Sequence, residues 1–487
     1  MLFHTAVFAL FLPIVLSLYF LLGTLRPSER ALRAQNFLLL CASYFFYGWW
    51  DWRFVGLIFL STLIDYVVGL ALQATDEKRR RAWILAASLA ANLGILGFFK
   101  YYNFFVASAL QALASIGVQA HASTLHVILP VGLSFYTFQS LTYTVGVYRR
   151  ELGAQREPIA FFAYVSFFPQ LVAGPIERAA HLLPQFLKPR HVTPAAFASG
   201  LRQMTWGLFC KLVVADNCAV VVNSIFDRGT PVSGSVALCG AFFFAFQIYG
   251  DFSGYSHIAL GTARLMGFEL MQNFATPYFS QSIPEFWRRW HISLSTWFRD
   301  FVFIPLGGSR VSRARYARNI LITFTVSGLW HGANWTFVVW GFLNGLYYLP
   351  HIFLGGRAPP PQRHTPAALV LVRVAFTFFL TMIAWIFFRA KSMHAALTMV
   401  GAVFSRSLLT NPLPVLKSYG LVASCLFAGS AISILVGLEY LQRDKGYALD
   451  IAGRNVGTRW VAYAAMVGVI CCFRYTGSAL DFIYFQF

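Results

Sequence analysis

The chain has 487 residues, of which 58% are hydrophobic and only 11% are charged, and its formal net charge is +20. Soluble proteins carry about 25% charged residues, so the composition excludes a soluble globular protein and indicates a polytopic membrane protein. The cations lie between apolar runs, where they are typical of loops at an anionic membrane face. We therefore expect membrane lipids, and no nucleic acid, among the partners.

Eleven apolar runs follow one another along the chain. They lie near 5–25, 36–50, 53–73, 82–99, 126–148, 200–224, 236–264, 319–348, 367–388, 416–438 and 457–473. A helix needs about 20 apolar residues to cross a bilayer, so we predict about 11 spans, with short or glycine-interrupted runs as re-entrant segments. No soluble domain is long enough to separate, and residues 1–487 are expected to form a single integral membrane domain.

The ends of the apolar runs predict an orientation in the membrane. The first run has no basic residues before it and no small-residue cleavage site, so we do not expect a cleaved signal. Basic loops at 26–33 and 78–81 should be cytoplasmic, which places the N-terminus outside. The neutral loops 117–125 and 229–235 then also fall outside. Loop 439–454 has no net charge and predicts neither side.

The segment 285–318 is the most basic block, with seven arginines against Glu285 and Asp300. Ser282 and Glu285 have the spacing of a capping box, with Pro284 in the first turn, so a helix is expected to start here. On a helical wheel one side carries Arg288, Ile292 and Arg299, and the other carries Trp287, Trp290, Leu294, Phe298 and Phe301. We predict an amphipathic helix at the cytoplasmic interface with His291 at its edge, ending before Pro305.

His331 lies in the stretch 319–356, which contains no Asp, Glu, Lys or Arg. An ionisable side chain at membrane depth is costly and indicates a functional site, and neutral imidazole is a common general base. In a continuous helix, Asn334 and Trp335 would share its face. The alternative is a histidine that joins helices through structural hydrogen bonds.

Three further features carry polar groups in unusual places. His291 is either an interfacial ring or a partner of the arginines beside it, whose planar groups suit phosphate as well as lipid headgroups. Asp251 lies within an apolar run, in Tyr249–His257, where it serves either a site or a structural network. The aromatic end 481–487 is either an interfacial anchor or a segment tucked into a groove.

The seven cysteines all fall in apolar runs, and none has metal-ligand spacing: Cys41, Cys210, Cys218, Cys239, Cys425, Cys471 and Cys472. They are expected to be small buried hydrophobic residues, and we expect no metal site.

Several stretches together resemble the membrane-bound O-acyltransferase superfamily, in its bacterial branch of alginate and peptidoglycan O-acetyltransferase membrane subunits and teichoic acid D-alanyl transferases. The matching stretches, in the family's order, are Tyr44–Trp49, Pro130–Gln139, Phe168–Ile176, Asp251–Ser256, Phe286–Ser295, Ile304–Gly308, Trp330–Trp335 and Phe482–Phe485. One departure is visible: the branch usually has an acid after Gly-Tyr-Ser, and this chain has His257.

The resemblance implies an all-α helical disc with a central tunnel, plus re-entrant and interfacial helices. It implies an O-acetyltransferase whose catalytic histidine is His331, with His291 as the second histidine and acetyl-coenzyme A as the donor substrate. Arg288, Arg289 and Arg299 would meet the donor phosphates. Asn334 or a backbone N–H would stabilise the oxyanion. Further substrate contacts are expected from Trp287, Asp251, Tyr255, Trp330 and Trp335.

The resemblance also suggests an acceptor side. Tyr484 would act as an acyl relay, and a periplasmic partner of the SGNH hydrolase-like type would pass the acetyl group to a polysaccharide such as an alginate-like exopolymer, cellulose or peptidoglycan. The expected location is the bacterial inner membrane. The rival function is a transporter or channel, since Asp65, Asp251, His257 and His331 would also suit an ion pathway. A polysaccharide synthase is disfavoured because no loop is long enough for a nucleotide-sugar domain.

Overall fold

The computed structural model describes residues 1–24, 29–122, 125, 128–172, 174–228, 232–355, 366–477 and 482–483. It is 76% helical and has no strand within these ranges, which confirms the all-α fold. The chain is a multi-pass helical membrane protein.

The helices are numbered in chain order. The first eleven are α1 Ala6–Thr24, α2 Glu29–Asp51, α3 Val55–Gln73, α4 Lys78–Leu96, α5 Tyr102–Ser115, α6 Leu133–Tyr148, α7 Pro158–Ser166, α8 Phe168–Leu171, α9 Ala179–Phe186, α10 Pro194–Leu208 and α11 Asp216–Phe226. The next ten are α12 Gly234–Leu265, α13 Ile283–Arg289, α14 Ile292–Phe298, α15 Arg313–His331, α16 Trp335–Phe353, α17 Ala367–Arg389, α18 Met393–Val403, α19 Leu413–Ser418, α20 Val422–Leu441 and α21 Val456–Phe473.

Shorter helical turns connect some of these helices. The 3₁₀ turns are Trp52–Phe54, Pro277–Phe279 and Arg406–Leu409, and the π-helical turns are Gly97–Tyr101, Phe209–Ala215 and Arg299–Phe303. The turn Phe209–Ala215 joins α10 to α11 without a break in the helix.

Eight segments in the described ranges are long and apolar enough to cross a membrane, against about 11 runs expected from the sequence. They are Ala6–Gly23, Glu29–Gln73, Lys78–Ser115, Pro194–Phe226, Gly234–Leu265, Ala367–Arg389, Val422–Leu441 and Val456–Phe473. Two of the expected runs, 36–50 and 53–73, share one segment. Two others, 126–148 and 319–348, are not among the eight. In the first, α6 has only 16 residues, and the second is divided between α15 and α16.

The first of two compact units comprises Met1–Met204 and Ile258–Met271. Its buried polar centre is Asp65 of α3, whose Oδ1 accepts hydrogen bonds from Ser88 Oγ at 2.8 Å, Asn92 Nδ2 at 3.0 Å and Thr144 Oγ1 at 3.0 Å. A carboxylate without such donors would be costly to bury. These hydrogen bonds therefore connect α3 to α4 and α6, and they indicate that Asp65 has a structural role.

The second unit comprises Thr205–His257 and Gln272–Phe487, and α15 and α16 form its closest helix pair. Glycines make this close approach feasible. A Cβ added to Gly341 of α16 would lie 3.0 Å from Gly328 Cα and would overlap the carbonyl oxygen of Phe324, both in α15. Small residues at such contacts let two helix backbones approach and gain dispersion energy. The contact fixes α15, and with it His331 at the end of that helix.

The expected helix through the basic block is correct at its start and wrong further on. Ser282 caps α13 by accepting a hydrogen bond from Glu285 N at 3.3 Å, as its sequence spacing predicts. The helix then ends at Arg289, and a new helix starts at Ile292. Between them His291 adopts a left-handed backbone with φ 42°. A break of this kind cannot be read from a helical wheel.

Replacement of Gly341 by alanine should destabilise the protein, because the added methyl group meets rigid backbone rather than a flexible side chain. The expected loss is about 1–3 kcal/mol, the usual cost of overpacking, measured as a lower unfolding temperature in detergent. Gly437→Ala in α20 is the matched control, since nothing lies within 4 Å of its added Cβ. Equal unfolding temperatures for the two variants would contradict the close α15–α16 contact.

Candidate active site

His331 is the last residue of α15, and its side chain is buried with 3% exposure. Three aromatic rings surround the imidazole. The ring centroids of Trp330, Trp340 and Phe388 lie 4.9, 5.0 and 5.4 Å from that of His331. The histidine expected at membrane depth is therefore enclosed by the aromatic side chains of α15, α16 and α17.

The expectation that Asn334 and Trp335 share a helical face with His331 is wrong. The helix ends at His331 because Gly332 is extended, with φ −158° and ψ 146°. Asn334 then caps α16, and its Oδ1 accepts a hydrogen bond from Thr336 N at 3.0 Å. The Trp335 side chain is 51% exposed.

His291 is fully buried, with 0% exposure, so its predicted position at the edge of an interface helix is wrong. The left-handed backbone between α13 and α14 turns the side chain inward. Its ring packs edge-on against Phe252 of α12, with the centroids 4.6 Å apart. This burial lowers the pKa of His291 to about 3, so the imidazole is neutral at physiological pH.

Asn273 holds His291 in one orientation and one tautomer. Its Oδ1 is 3.4 Å from the backbone nitrogen of Ser293, which can only donate, so this atom is the carboxamide oxygen. The same oxygen lies 3.0 Å from His291 Nδ1, and that nitrogen must therefore carry the proton. The backbone carbonyl oxygen of Asn273 also accepts a hydrogen bond from Ile292 N at 2.9 Å. In the neutral ring Nε2 is then the basic nitrogen.

The two histidines lie beside each other in the same aromatic cluster. Their ring centroids are 6.5 Å apart, and Trp330 contacts both, with centroids 6.4 Å from His291 and 4.9 Å from His331. Trp287 supports the cluster from α13 by packing on Trp340 at 5.8 Å. Four of the residues selected from the sequence (both histidines, Trp287 and Trp330) are thus brought together.

A cavity of about 560 Å³ adjoins His331, and we call it the Asn334 cavity. Its lining includes Asn223, Asp227, Gly332, Asn334, Phe388, Arg389 and Lys391. Asp227 pairs with both cations, at 2.9 Å from Arg389 and 2.9 Å from Lys391. Burial alone would raise the pKa of the Asp227 carboxyl, but these two cations hold it below its usual value. Phe388 separates this polar cavity from the His331 ring.

A second cavity, of about 310 Å³, adjoins His291, and we call it the Arg289 cavity. Its lining includes Tyr249, His257, Phe274, Arg289, Glu439, Arg443 and Lys445. Phe274 also packs on His291, with centroids 6.4 Å apart. Of the three arginines expected at a donor site, only Arg289 lines this cavity. Arg288 is exposed, and Arg299 is exposed and paired with Asp300 at 2.7 Å.

Asp251 belongs to a buried cluster of charged side chains. Its other members were not predicted from the sequence. The Nζ of Lys211 lies 2.8 Å from carboxylate oxygens of both Asp216 and Asp251. Asp251 Oδ2 also accepts a hydrogen bond from the backbone nitrogen of Ile483 at 2.7 Å. Lys211 and Asp216 could have been found in the sequence, because ionisable residues inside an apolar run are rare.

Residues 482 and 483 contact this cluster. Phe482 is fully buried, and its ring packs on Tyr255 with centroids 4.3 Å apart and on Phe252 at 6.1 Å. Tyr484, the expected acyl relay, lies outside the described residues.

The fold and this site define a multi-pass helical membrane protein with two buried histidines between separate polar cavities. Residues 46–390 match the family model of MBOAT, the membrane-bound O-acyltransferase family, and the chain belongs to that family.

Relatives of the chain are found in several bacteria. Probable alginate O-acetylase AlgI of Pseudomonas putida is 43% identical over 408 residues, which are 83% of this chain and 80% of that protein. Peptidoglycan O-acetyltransferase of Helicobacter pylori is 35% identical over 425 residues, 82% of this chain and 78% of that protein. Teichoic acid D-alanyltransferase of Streptococcus thermophilus is 28% identical over 44% of this chain and 55% of its own length.

The family decides between the two classes of function that the sequence left open. The chain is an enzyme, an O-acyltransferase, rather than a transporter or channel. Within the described ranges, no three His, Cys, Asp or Glu side chains are grouped so as to hold a metal ion.

The depressed pKa of His291 predicts how stability depends on pH. The unfolded side chain has a pKa of about 6.5 and the buried one about 3, so between these values only the unfolded state takes up the proton. The contribution of neutral His291 to the free energy of unfolding is therefore complete above about pH 6.5. Below that pH it declines by about 1.4 kcal/mol per pH unit.

The free energy of unfolding, measured by chemical denaturation in detergent from about pH 6 to about pH 4, should therefore depend less steeply on pH in His291→Gln than in the wild type. The difference in slope should correspond to close to one proton taken up on unfolding. Parallel slopes for the two proteins would show that His291 is not held neutral.

Proposed function

We propose that the chain transfers an acetyl group from cytoplasmic acetyl-coenzyme A, across the inner membrane, for O-acetylation of an extracytoplasmic polysaccharide. The names of two relatives support acetyl transfer to alginate or to peptidoglycan, and cellulose remains a third candidate acceptor. The observation that carries the proposal is the histidine pair. Phe388, which packs on His331, and Phe274, which packs on His291, line different polar cavities.

The donor side of the proposal rests on the Arg289 cavity. Arg289, Arg443 and Lys445 give it three cations, and coenzyme A carries several phosphates that such groups bind. Tyr249 and His257 of α12 and residues 272–276 beyond that helix contribute to its lining. Because the loop before α12 is expected outside, these residues are expected on the cytoplasmic side. The loop 442–448 lines the same cavity, which supports the same side for a loop whose charge predicted none.

The acceptor side rests on the Asn334 cavity by the same reasoning. Asn223 and Asp227 lie at the end of α11, just before the loop 229–235, which is expected outside. Arg389 and Lys391, at the end of α17, reach the same cavity. An α-helix of 32 residues, such as α12, is about 48 Å long, which is sufficient to connect the two sides.

In the proposed reaction neutral His331 acts as general base. A ring nitrogen removes the proton of the acceptor hydroxyl, the oxygen attacks the thioester carbonyl, and the carbon–sulfur bond breaks. The coenzyme A thiolate leaves and takes up the proton from His331, so atoms and charge balance. The aromatic shell excludes water that would otherwise hydrolyse the thioester. His291, held by Asn273, presents its basic Nε2 within the same cluster.

The oxyanion donor is proposed to be a backbone N–H or Asn334. The Asn334 carboxamide is already engaged, since Oδ1 caps α16 and Nδ2 lies 3.4 Å from the carbonyl oxygen of Lys391. To donate a hydrogen bond to the oxyanion, Asn334 Nδ2 would have to give up its weak contact with the Lys391 carbonyl oxygen. The indole of exposed Trp335 and the guanidinium groups of Arg288 and Arg299 remain proposed substrate contacts outside the buried cluster.

We further propose that Tyr484 accepts the acetyl group before the final acceptor. A phenol with a pKa of about 10 is a better nucleophile than a sugar hydroxyl once a base is near. The contacts of Phe482 with Tyr255 and of Ile483 with Asp251 support this role, because these two residues directly precede Tyr484 in the sequence. A periplasmic SGNH hydrolase-like partner would then move the group to the polysaccharide.

His331→Ala should reduce acetyl transfer by about 10²–10⁴-fold, the usual contribution of general acid–base catalysis. The measurement is release of coenzyme A by purified protein supplied with acetyl-coenzyme A and acceptor. His394→Ala is the matched control, because His394 is exposed on α18 and should leave the rate unchanged. Full activity of His331→Ala would overturn the catalytic assignment.

Tyr484→Phe should abolish acetylation of the polysaccharide while leaving binding of acetyl-coenzyme A intact, because only the phenol oxygen is removed. Acetyl ester on the polymer is measured in cells, and donor binding is measured on the purified protein. Tyr475→Phe is the control, since it removes a phenol from the same part of the chain. Normal polymer acetylation in Tyr484→Phe would exclude the relay.

A further inference from the structure

We propose that Glu439 recognises the acetyl donor by accepting a hydrogen bond from an amide N–H of its pantetheine arm. Glu439 is then a specificity-determining residue of the Arg289 cavity, in addition to the cations that meet the phosphates. The inference rests on the proposed function, because it requires acetyl-coenzyme A to enter this cavity.

Glu439 is a buried carboxylate in the wall of the Arg289 cavity. It lies on α20 with 7% exposure, and its Oε1 accepts a hydrogen bond from the Tyr249 hydroxyl at 2.5 Å. Burying a carboxylate is costly unless partners compensate it. Among the residues that the structure describes, no cation forms an ion pair with Glu439, and Arg289 pairs with Glu285 at 2.8 Å instead. A ligand that donates a hydrogen bond would therefore stabilise the carboxylate.

The wall that holds Glu439 leads to the second histidine. The ring of Tyr249, which donates to Glu439, packs on Phe274 with centroids 5.8 Å apart. Phe274 in turn packs on His291 with centroids 6.4 Å apart. The carboxylate is thus connected to the histidine pair by two aromatic rings that line the same cavity.

The rest of the lining has a different charge and exposure. Arg443 and Lys445 are exposed, so they lie where the cavity opens to solvent. Coenzyme A carries its phosphates at one end and the thioester at the other, with the pantetheine arm and its amide groups between them. When the phosphates contact these exposed cations and the thioester points toward the histidine pair, the arm passes the buried carboxylate.

The carboxylate selects for a hydrogen-bond donor. Phosphate oxygens are charged acceptors at neutral pH, and a carboxylate repels them. An amide N–H donates, and a hydrogen bond with an ionised partner is about twice as strong as a neutral one. The adenine amine is the other N–H group of coenzyme A, but it lies on the phosphate side of the molecule. The amides of the arm therefore match the buried position of Glu439 better.

A purely structural role for Glu439 makes a different prediction. Its hydrogen bond with Tyr249 connects α20 to α12, and such bonds between membrane helices are common. Glu439→Gln keeps one oxygen for the Tyr249 hydroxyl and turns the other into an NH₂ group, which cannot accept from the donor. Tyr249→Phe removes the connection between the helices and keeps the carboxylate.

Release of coenzyme A by the full-length protein in detergent, with acceptor present, gives KM and kcat for acetyl-coenzyme A. Glu439→Gln should raise KM by at least about tenfold, the effect of losing one hydrogen bond with a charged group. It should leave kcat nearly unchanged, as expected when an interaction common to the bound and the reacting donor is lost. Tyr249→Phe should raise KM less, and an equal or larger rise in that variant would overturn donor recognition.

Asp444→Asn is the matched control, because it also removes one carboxylate from the cavity lining, but at an exposed position. Removing a negative charge near bound phosphates should leave KM unchanged or lower it. Glu439→Gln should change KM in the opposite direction. A KM that stays unchanged or falls in both variants would overturn the inference.

Acetyl-phosphopantetheine, which lacks the adenine nucleotide, tests which N–H group is bound. The rise in KM caused by Glu439→Gln should persist with this donor. A rise confined to acetyl-coenzyme A would assign Glu439 to the adenine amine and overturn the assignment to the pantetheine arm.

Failure of the proposed function gives a different result. A wild-type protein that releases no coenzyme A from acetyl-coenzyme A would contradict the proposed function, and this inference with it. Normal release by the wild type, with an unchanged KM in Glu439→Gln, would overturn this inference alone.

Discussion

Burial of two imidazole rings in one aromatic cluster is the constraint on which the candidate active site depends. A charged histidine would be costly inside the aromatic cluster, and the depressed pKa of His291 expresses that cost. Neutrality suits a general base, which must be unprotonated before it acts. The aromatic rings that pack on the two histidines also form the walls between the histidine pair and the two cavities.

Several polar side chains elsewhere in the described residues are also buried, and specific partners stabilise them. In the first unit, three neutral side chains donate hydrogen bonds to Oδ1 of Asp65. In the second unit, Asn273 fixes the tautomer of His291, and Lys211 is shared by two carboxylates. Such arrangements are the expected solution where an unpaired polar group would face hydrocarbon. His291 and His331 lie together at the centre of the aromatic cluster.

The sequence was sufficient to predict the all-α membrane fold, which follows from composition, and it singled out His331 because ionisable residues at membrane depth are rare. It placed His291 at an interface, whereas the structure buries it. It was insufficient for the backbone around the two histidines. The left-handed conformation of His291 is unusual for a residue with a side chain, and the extended Gly332 ends a pattern that reads as continuous helix. Both depend on tertiary packing, which overrides local propensity. The partners of Asp251 were missed because Lys211 and Ile483 are distant in sequence.

The central claim is that acetyl groups pass from one side of the membrane to the other through the histidine pair. Membrane vesicles with a defined orientation, loaded with isotopically labelled acetyl-coenzyme A, test it directly when labelled ester is measured on polysaccharide supplied outside. The account predicts label outside when the donor is enclosed on the cytoplasmic side, and none with His331→Ala. Label that appears only when donor and acceptor share a side, or that is equal in the variant, would contradict it.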